Sequence, residues 1–457
     1  MKNKYLRQVY TGTIGDMKNM ELYFAEMAQQ GWMIDSIGAL SHRYRRVEPC
    51  KKRFFVDFLP QITAFDYPEN EDAQDYRRIC EESGWTFVAA SKQLHIFCAD
   101  DFTPPPTPIH TDNRIQAQIY MKMCRKYEIF SLLFPFIIFG AIIFQQLSYN
   151  GMEIILSNLL IFQMAGWFFF LIGYVWTLGF VLTWYLQVKK SAKHGLPLPV
   201  VNYRLSRIRR KVFSAGGIAF ALCLLTGIVL EIIGGMPIGF VLFIVMPLTM
   251  LGAGLWIRRQ IDTKRRGRKA NIIMTVTVIA LLTIILNGAL IFGVISRVPH
   301  HDMSGSLGNR TALTLNSVGI SAEPERTSNR VMGSVLVPTH YIYWEINRQG
   351  NVHTEIYRSV SGSITRGLYN RYVRELEAGY AGFMHRNGYD VELTYLTSEE
   401  AALWGADKGV AAFDTIGSTT ELLLLNGRII FRLSVHGEDI SKETLAQAVR
   451  GLSRQQW

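Results

Sequence analysis

The chain has 457 residues, of which 49% are hydrophobic and only 19% are charged. Ordinary soluble domains carry roughly 25% charged residues, so this composition argues against a purely soluble protein and against a disordered one. The net charge of +11 does not indicate a nucleic-acid partner, because it is concentrated in the most hydrophobic part of the chain. Residues 129–296 hold 15 Lys and Arg against 3 Asp and Glu, whereas the flanking parts are close to neutral.

The first 103 residues contain two similar units, in each of which a predicted helix, a glycine and a tryptophan lead into a strand. The units are helix 16–30 with Gly31 and Trp32, and helix 69–83 with Gly84 and Trp85. Glycine adopts the left-handed conformation that commonly ends a helix, and tryptophan can fill the seam between a helix and a sheet. We therefore predict a small α+β cytoplasmic domain over residues 1–103. Both Gly-Trp pairs are interpreted as structural, and a ligand-stacking role for the tryptophans is the alternative.

A run of basic residues stands out in this otherwise neutral domain. It consists of Arg43, Arg45, Arg46, Lys51, Lys52 and Arg53. One interpretation is contact with the anionic inner leaflet of a membrane, where each cation near the surface contributes about 1 kcal/mol. The other interpretation is that these residues occupy the outward-facing positions of a hairpin.

Three segments of this region resemble a known family: residues 27–33, residues 43–45 and residues 84–87. In these segments the chain is similar to the membrane-protein family called domain of unknown function 2812. The resemblance implies a Gram-positive bacterial setting and a cytoplasmic domain ahead of several membrane spans. It also implies a gene neighbourhood with PadR-like transcriptional regulators. It brings no catalytic residues.

Residues 104–128 are predicted to form a Pro-rich linker and a juxtamembrane helix, and residues 129–295 contain five apolar stretches. Each stretch is about as long as the roughly 20 residues that a helix needs to cross a bilayer. The stretches are 129–147, 159–186, 212–234, 237–257 and 272–295. The sequence therefore predicts a multi-domain membrane protein with a five-helix transmembrane bundle.

Lys and Arg alternate strictly between the connections of these stretches. The second connection carries eight and the fourth carries seven, whereas the first and third carry none. Connections rich in Lys and Arg stay in the cytoplasm. We therefore predict a cytoplasmic N-terminus, no cleaved signal peptide, and an extracytoplasmic C-terminal domain on a bacterial plasma membrane.

Two polar residues inside the predicted spans are candidates for an intramembrane function, because such residues are costly to bury in lipid. Glu231 precedes the turn between spans three and four, so an interfacial carboxylate is the alternative to a role in proton or cation coupling. Asn287 lies deeper in span five, where we expect a hydrogen bond to a neighbouring helix. Glycines 216–217, 252, 254, 235 and 239 predict helix-packing faces, through which the chain could form a homo-oligomer.

The last part of the chain is predicted to comprise a polar tether, residues 296–327, and an extracytoplasmic α+β domain with an antiparallel sheet, residues 328–457. Asn426 and Gly427 between two apolar runs are a strong hairpin signal, and Ser441 predicts the start of a terminal helix. The sequence carries none of the common hydrolase, nucleotide-binding or zinc motifs. We therefore expect no enzyme, no cofactor and no metal site.

The expected function is sensing or regulation in an envelope or antimicrobial response. The outer domain would bind a ligand or partner and the inner domain would contact another protein; the regulatory part rests on what the resemblance implies. An accessory or permease component of a transport system is the alternative, and a membrane scaffold is the third interpretation. The expected partners are the lipid bilayer and other proteins on either side, and no nucleic acid.

Overall fold

The computed structural model describes residues 4–9, 12–38, 41–101, 106, 109–110, 112–149, 153–234, 242–295, 312–321, 323–381, 391–414, 419–437 and 440–455. The chain divides into two compact units, each of which combines a folded domain with parts of the apolar helices. The first unit comprises Met1–Phe144, Met164–Cys223 and Phe240–Ile291, and the second comprises Gln145–Gln163, Leu224–Gly239 and Phe292–Trp457.

The N-terminal domain contains two three-stranded antiparallel sheets and two helices. The elements are β1 (Tyr5–Val9), α1 (Met17–Gln29), β2 (Trp32–Ile37), β3 (Ser41–Arg46), β4 (Lys52–Phe58), α2 (Glu71–Glu82), β5 (Thr86–Ser91) and β6 (Leu94–Asp100). The strand orders are β1-β3-β2 and β4-β6-β5. Helix α1 buries Met17, Met20, Phe24 and Met27, whose spacing of three and four residues puts them on one face. This confirms a small α+β domain.

Both predicted helix–Gly–Trp–strand units are present. Gly31 and Gly84 have φ values of +81° and +90°, the left-handed region in which a side chain is strained. A Cβ atom on Gly31 would also lie 2.8 Å from the Val47 carbonyl oxygen. Trp85 is buried in the core, whereas Trp32 is half-buried beneath the Arg46 guanidinium, 5.0 Å from its ring centroid. The two tryptophans thus occupy packing positions.

The helical region begins with α3 (Asn113–Met123), a π-helical turn (Cys124–Ile129) and α4 (Phe130–Tyr149). It continues with α5 (Glu153–Leu156), α6 (Asn158–His194), α7 (Tyr203–Ile233), α8 (Leu242–Thr263) and α9 (Arg268–Ile295). Among the described residues, four segments are long and apolar enough to cross a membrane: Asn113–Ser148, Asn158–His194, Tyr203–Ile233 and Arg268–Gly288. The fourth predicted span coincides in part with α8, whose described residues do not meet the same criterion. The structure is therefore compatible with a multi-pass membrane protein, and the count of five spans stays a prediction.

Helices α6 and α7 approach each other closely where glycines lie at the contact. A Cβ atom on Gly173 would lie 2.7 Å from the Cα of Phe213, and one on Gly216 would lie 2.8 Å from the Phe169 carbonyl oxygen. Such distances leave room only for glycine. The remaining predicted packing glycines differ, because Gly217, Gly252 and Gly254 face open space and residues 235 and 239 lie outside the described chain.

The C-terminal domain is built on a seven-stranded antiparallel sheet with the order β10-β11-β12-β13-β9-β8-β7. The strands are β7 (Arg326–Met332), β8 (Thr339–Ile346), β9 (Gly350–Arg358), β10 (Val391–Leu396), β11 (Lys408–Asp414), β12 (Thr419–Asn426) and β13 (Ile429–Gly437). The helices are α10 (Gly362–Glu375), α11 (Ser398–Leu403) and α12 (Lys442–Ser453). The predicted hairpin joins β12 to β13, with Gly427 at φ +57°, and Ser441 caps α12 by accepting from the Thr444 N–H at 3.1 Å. These features confirm the predicted antiparallel sheet.

The domain starts earlier than residue 328. Leu313, Leu315 and Val318 lie in the predicted tether, yet each is buried in the same core as Phe431 and Val449. Strand β7 also begins inside the predicted tether, at Arg326. The described part of the tether therefore belongs to the fold of this domain, because its few apolar side chains complete the core.

Candidate functional site

A fully buried aspartate lies where the N-terminal domain contacts the start of α7, within the first unit. Asp16 directly precedes α1 and has no solvent exposure. Its carboxylate accepts hydrogen bonds from the backbone N–H and the hydroxyl of Thr13, both at 2.9 Å. Those bonds fix the turn that leads into α1. They leave the carboxylate with capacity for partners from elsewhere in the chain.

Helix α7 supplies these partners. The Arg209 guanidinium and the Ser206 hydroxyl each donate a hydrogen bond to the Asp16 carboxylate, and Arg210 lies 3.7 Å from it. Arg209 is only 2% exposed, and its guanidinium carbon is 4.0 Å from the ring centroid of Phe180 on α6. The ion pair is thus buried away from water. Electrostatic interactions are stronger in the protein interior than at the surface.

A second carboxylate borders this pair. Glu128 lies in the π-helical turn, accepts a hydrogen bond from the Ile14 backbone N–H, and has the Cys124 sulfur 3.8 Å from its Oε2. Single π-helical turns interrupt an α-helix with an extra residue and occur frequently at functional sites. We call Asp16, Glu128, Ser206, Arg209 and Arg210 the Asp16 cluster.

The Asp16 cluster can attach the N-terminal domain to α7 through its ion pair and hydrogen bonds. Removing one partner of a buried ion pair leaves an uncompensated charge and typically costs about 3–5 kcal/mol. Attachment through such a pair therefore depends on both partners at once. Weaker contacts also join the N-terminal domain to the helices: the Tyr203 hydroxyl donates to Glu26 at 2.8 Å, and the exposed Arg268 pairs with Asp66 at 2.8 Å.

The second unit contains a different junction, in which the C-terminal domain is bonded to the start of α6. Asn158 accepts a hydrogen bond from the Val335 N–H at 2.9 Å and donates to the Gly333 carbonyl at 3.3 Å. The Ser334 hydroxyl donates to the Ile155 carbonyl at 2.5 Å. We call these residues the Asn158 junction. Every one of these bonds joins a neutral side chain to the backbone.

The predicted intramembrane residues both have local partners. Glu231 accepts hydrogen bonds from the Ser157 hydroxyl at 2.5 Å and the Leu159 N–H at 3.0 Å, so it caps the N-terminus of α6 beside the Asn158 junction. Asn287 donates to the Thr283 carbonyl of its own helix at 2.7 Å, and its side chain is exposed. For Asn287 the structure thus has an intrahelical bond where we expected one between helices.

Three of the six residues of the predicted basic run pair with carboxylates of their own domain. Arg43 pairs with Asp35 at 2.5 Å, Lys52 with Asp100 at 2.8 Å and Arg53 with Asp101 at 2.5 Å. Arg46 lies over Trp32, as described above, whereas Arg45 and Lys51 are exposed. The run does not lie on one hairpin as expected, because β3, which carries Arg43 to Arg46, and β4, which carries Lys52 and Arg53, belong to different sheets. The contacts favour outward-facing strand positions for these residues, and lipid contact by the run stays a prediction.

A cavity of about 240 Å³ lies in the C-terminal domain between α10 and the sheet. Its lining residues are Tyr372, Glu375, Leu376, Glu421, Leu422, Leu423 and Arg432. Arg432 lies 3.5 Å from Glu355, and burial raises the pKa of Glu421. Sequence reasoning missed this site. The available signal was the placement of Glu421 and Arg432 on the strand face that buries Leu423 and Ile430.

Comparisons with known proteins bear on the N-terminal part. The model of the family described as Protein of unknown function (DUF2812) matches residues 16–133. No curated protein and no solved structure matches the chain. The matched range begins at Asp16 and includes Glu128, so both carboxylates of the Asp16 cluster lie within it. The matched range therefore extends from the residue before α1 through the π-helical turn into α4, and over residues 16–133 this chain is similar to the DUF2812 family.

Proposed function

We propose that this chain is a non-enzymatic, multi-pass protein of a bacterial plasma membrane, with a sensing or regulatory role in an envelope or antimicrobial response. Its C-terminal domain lies outside the cell and binds a ligand or partner. Its N-terminal domain lies in the cytoplasm and contacts another protein. Helices α6 and α7 couple the two domains.

The Asp16–Arg209 pair is the observation that carries this proposal. Arg209 lies near the start of α7 and holds the N-terminal domain, whereas Glu231 lies near the end of the same helix and caps α6 at the Asn158 junction. A buried ion pair tolerates little displacement, because its geometry must offset the cost of removing both charges from water. A shift of α7 therefore forms or breaks the ion pair between Arg209 and Asp16, and in this way it reaches the N-terminal domain. Elements with two such discrete arrangements are typical of switching proteins.

Cysteine labelling tests the orientation. One cysteine replaces Ser328 and a second is placed near the C-terminus, in a domain whose sequence contains no native cysteine. A membrane-impermeant thiol reagent applied to intact cells should label both. Labelling only after lysis would put both domains in the cytoplasm and contradict the two-sided arrangement.

A strain comparison tests the regulatory role. Strains carrying the full chain, a chain lacking residues 298–457, Asp16→Asn or Asp66→Asn are challenged with an envelope-active antimicrobial, and their transcript profiles are compared. We expect the truncation and Asp16→Asn to remove the response, and Asp66→Asn to retain it because Arg268, the partner of Asp66, is nearly half exposed. Unchanged profiles in every strain, at equal protein levels in the membrane, would exclude a sensing role.

A membrane scaffold is the second candidate, favoured by Gly252 and Gly254 on α8, which face open space and could receive a helix of another chain. A scaffold should co-purify with stoichiometric partners, and Gly252→Leu should reduce that yield. A transport component has less support, because Glu231 and Asn287 already have hydrogen-bond partners in their own surroundings. Unchanged substrate accumulation in Glu231→Gln would count against transport.

A further inference from the structure

The connection between α6 and α7 carries exposed cations that the protein itself does not neutralise. These residues are Lys189, Lys190, Lys193, Arg204, Arg207 and Lys211. Within the described part of the chain none of the six takes part in an ion pair. Residues 186–211 contain no Asp or Glu at all. The segment therefore presents positive charge that calls for an external anion.

Exposed apolar side chains are interleaved with these cations. Leu186, Leu196, Val200, Leu205 and Ile208 are each between 51% and 81% exposed. Cations alone would fit a solvated surface, but large aliphatic side chains left open beside them gain nothing from water. Basic residues mixed with exposed aliphatic residues are typical of segments that lie in the headgroup region of a membrane.

In the first turns of α7 the exposed side chains and the buried side chains lie on different faces of the helix. Ser206, Arg209 and Arg210 are buried and belong to the Asp16 cluster. Arg204, Leu205, Arg207, Ile208 and Lys211 fall on the remaining faces and are exposed. The two surfaces lie on different sides of the same turns, so an external ligand can bind without displacing Asp16.

Some cations elsewhere in the first unit are engaged by the protein. Arg258 pairs with Asp262 at 3.0 Å, Arg268 pairs with Asp66, and Arg265 lies over the Tyr67 ring at 5.7 Å. Three of the six cations of the basic run from Arg43 to Arg53 are also paired, as described above. Residues 186–211 differ in containing no Asp or Glu, whereas residues 258–269 contain Asp262.

We propose that residues 186–211, the basic–apolar segment, bind the headgroups of anionic phospholipids. The cations contact the lipid phosphates, and Leu196, Val200, Leu205 and Ile208 reach the boundary of the acyl chains. The inference rests on the membrane insertion in the proposed function and extends it with a lipid class. It also assigns the lipid contact to the α6–α7 connection, whereas the sequence predicted it for the basic run from Arg43 to Arg53.

The test measures which phospholipids stay on the purified full chain. Detergent-solubilised protein is incubated with equal amounts of phosphatidylglycerol and phosphatidylcholine, separated by gel filtration, and its bound lipids are quantified by mass spectrometry. The test variant carries glutamine at all six cations of the basic–apolar segment. The matched control carries glutamine at the six residues of the N-terminal basic run: Arg43, Arg45, Arg46, Lys51, Lys52 and Arg53.

We expect phosphatidylglycerol to be enriched on the wild-type protein and the enrichment to fall by at least about tenfold in the test variant. The control should change it less than about twofold, because three of those cations are already paired and a fourth, Arg46, lies over Trp32. If the variant with six substitutions does not fold, the triple variant of Lys189, Lys190 and Lys193 on the last turns of α6 should show an intermediate loss of phosphatidylglycerol enrichment. None of those three side chains is buried.

Three results would overturn the inference. They are the absence of enrichment on the wild-type protein, an equal loss in test and control variants, and full displacement of phosphatidylglycerol by excess inorganic phosphate. The last would assign the segment to a free anion, since the apolar contacts should retain a lipid. Alkaline extraction of membranes separates the two proposals: a chain that is extracted contradicts membrane insertion itself, whereas an inserted chain without enrichment contradicts only the lipid site.

Discussion

The two folded domains are attached to the apolar helices by different chemistry. The N-terminal domain is held by charges that are buried from water, with Asp16 and Arg209 at 0% and 2% exposure. The C-terminal domain is held at the Asn158 junction by neutral side chains that bond to backbone groups. Neutral bonds contribute about 0.5–1.5 kcal/mol each and can be lost one at a time. A buried ion pair is lost as a whole, so the comparison identifies the N-terminal attachment as the one suited to switching.

The largest expected effect is that of Asp16→Asn, which leaves Arg209 buried without a counter-charge. The expected cost is about 3–5 kcal/mol. Cys124 reports the change, since it is fully buried next to Glu128. Its labelling rate with a thiol reagent, located by mass spectrometry, should rise by roughly two orders of magnitude.

Two further variants decide whether the ion pair causes this effect. Asp35→Asn, which removes the partner of the exposed Arg43, should leave the Cys124 labelling rate nearly unchanged. The double variant Asp16→Asn with Arg209→Met should recover much of the loss, because no unpaired charge remains. Additive losses in the double variant would mean that the attachment depends on packing rather than on charge.

A pH titration provides a second comparison, in which the two domains should behave alike. Burial lowers the pKa of His42 in the N-terminal domain and of His340 in the C-terminal domain to about 4. Between pH 6.5 and 4 the unfolded chain therefore binds more protons than the native one. The stability of each domain should fall as the pH is lowered through this range, by up to about 1.4 kcal/mol per pH unit for each histidine.

Phenylalanine substitutions isolate the contribution of each histidine. His340→Phe keeps the ring that stacks on Tyr357 at 4.4 Å and should flatten the pH dependence of the C-terminal domain alone. His42→Phe should do the same for the N-terminal domain. Glu21 and Glu421, whose pKa values burial raises, titrate in parent and variant alike, so they cancel in this difference. Identical slopes in parent and variant would exclude the histidines as the cause.

Much of this architecture could be predicted from local sequence patterns. The glycines that end α1 and α2, the Asn426 and Gly427 hairpin and the apolar helices each have a short-range signal. The Asp16 cluster has none, since Asp16 and Arg209 are 193 positions apart. Arg209 and Arg210 were counted among the cations of a connection, and only folding distinguishes these two buried residues from the exposed ones beside them.

Strand β7 was missed for a different reason. It lies at the edge of the sheet and pairs only with β8, and its sequence RTSNRVM has almost no apolar alternation. An edge strand is held largely by backbone hydrogen bonds, which leave little trace in side-chain pattern. The short segment with Leu313 and Leu315 is similar, because two buried leucines in a polar stretch are too few to show a period.

The Asn158 junction should respond in smaller steps. Asn158→Ala removes two hydrogen bonds to the loop at residues 333–335, and we expect a loss of about 1–3 kcal/mol in the stability of the C-terminal domain. Ser334→Ala should cost about 1 kcal/mol. Denaturant unfolding of the detergent-solubilised chain measures both. A loss in Asn158→Ala as large as that in Asp16→Asn would remove the distinction between the two attachments.

The smallest effect is expected at the exposed pair between Arg268 and Asp66. Asp66 is also bonded locally by Thr63, whose N–H and hydroxyl donate to it at 2.7 and 2.9 Å. Arg268 is nearly half exposed, so its pairing should contribute no more than about 1 kcal/mol and should weaken as salt is raised. Arg268→Gln tests the pair while leaving the Thr63 bonds intact. If it raised the Cys124 labelling rate as much as Asp16→Asn does, the attachment of the N-terminal domain would be spread over α7 and α9. A small, salt-sensitive change would instead leave the buried pair on α7 as the principal electrostatic contact of that domain.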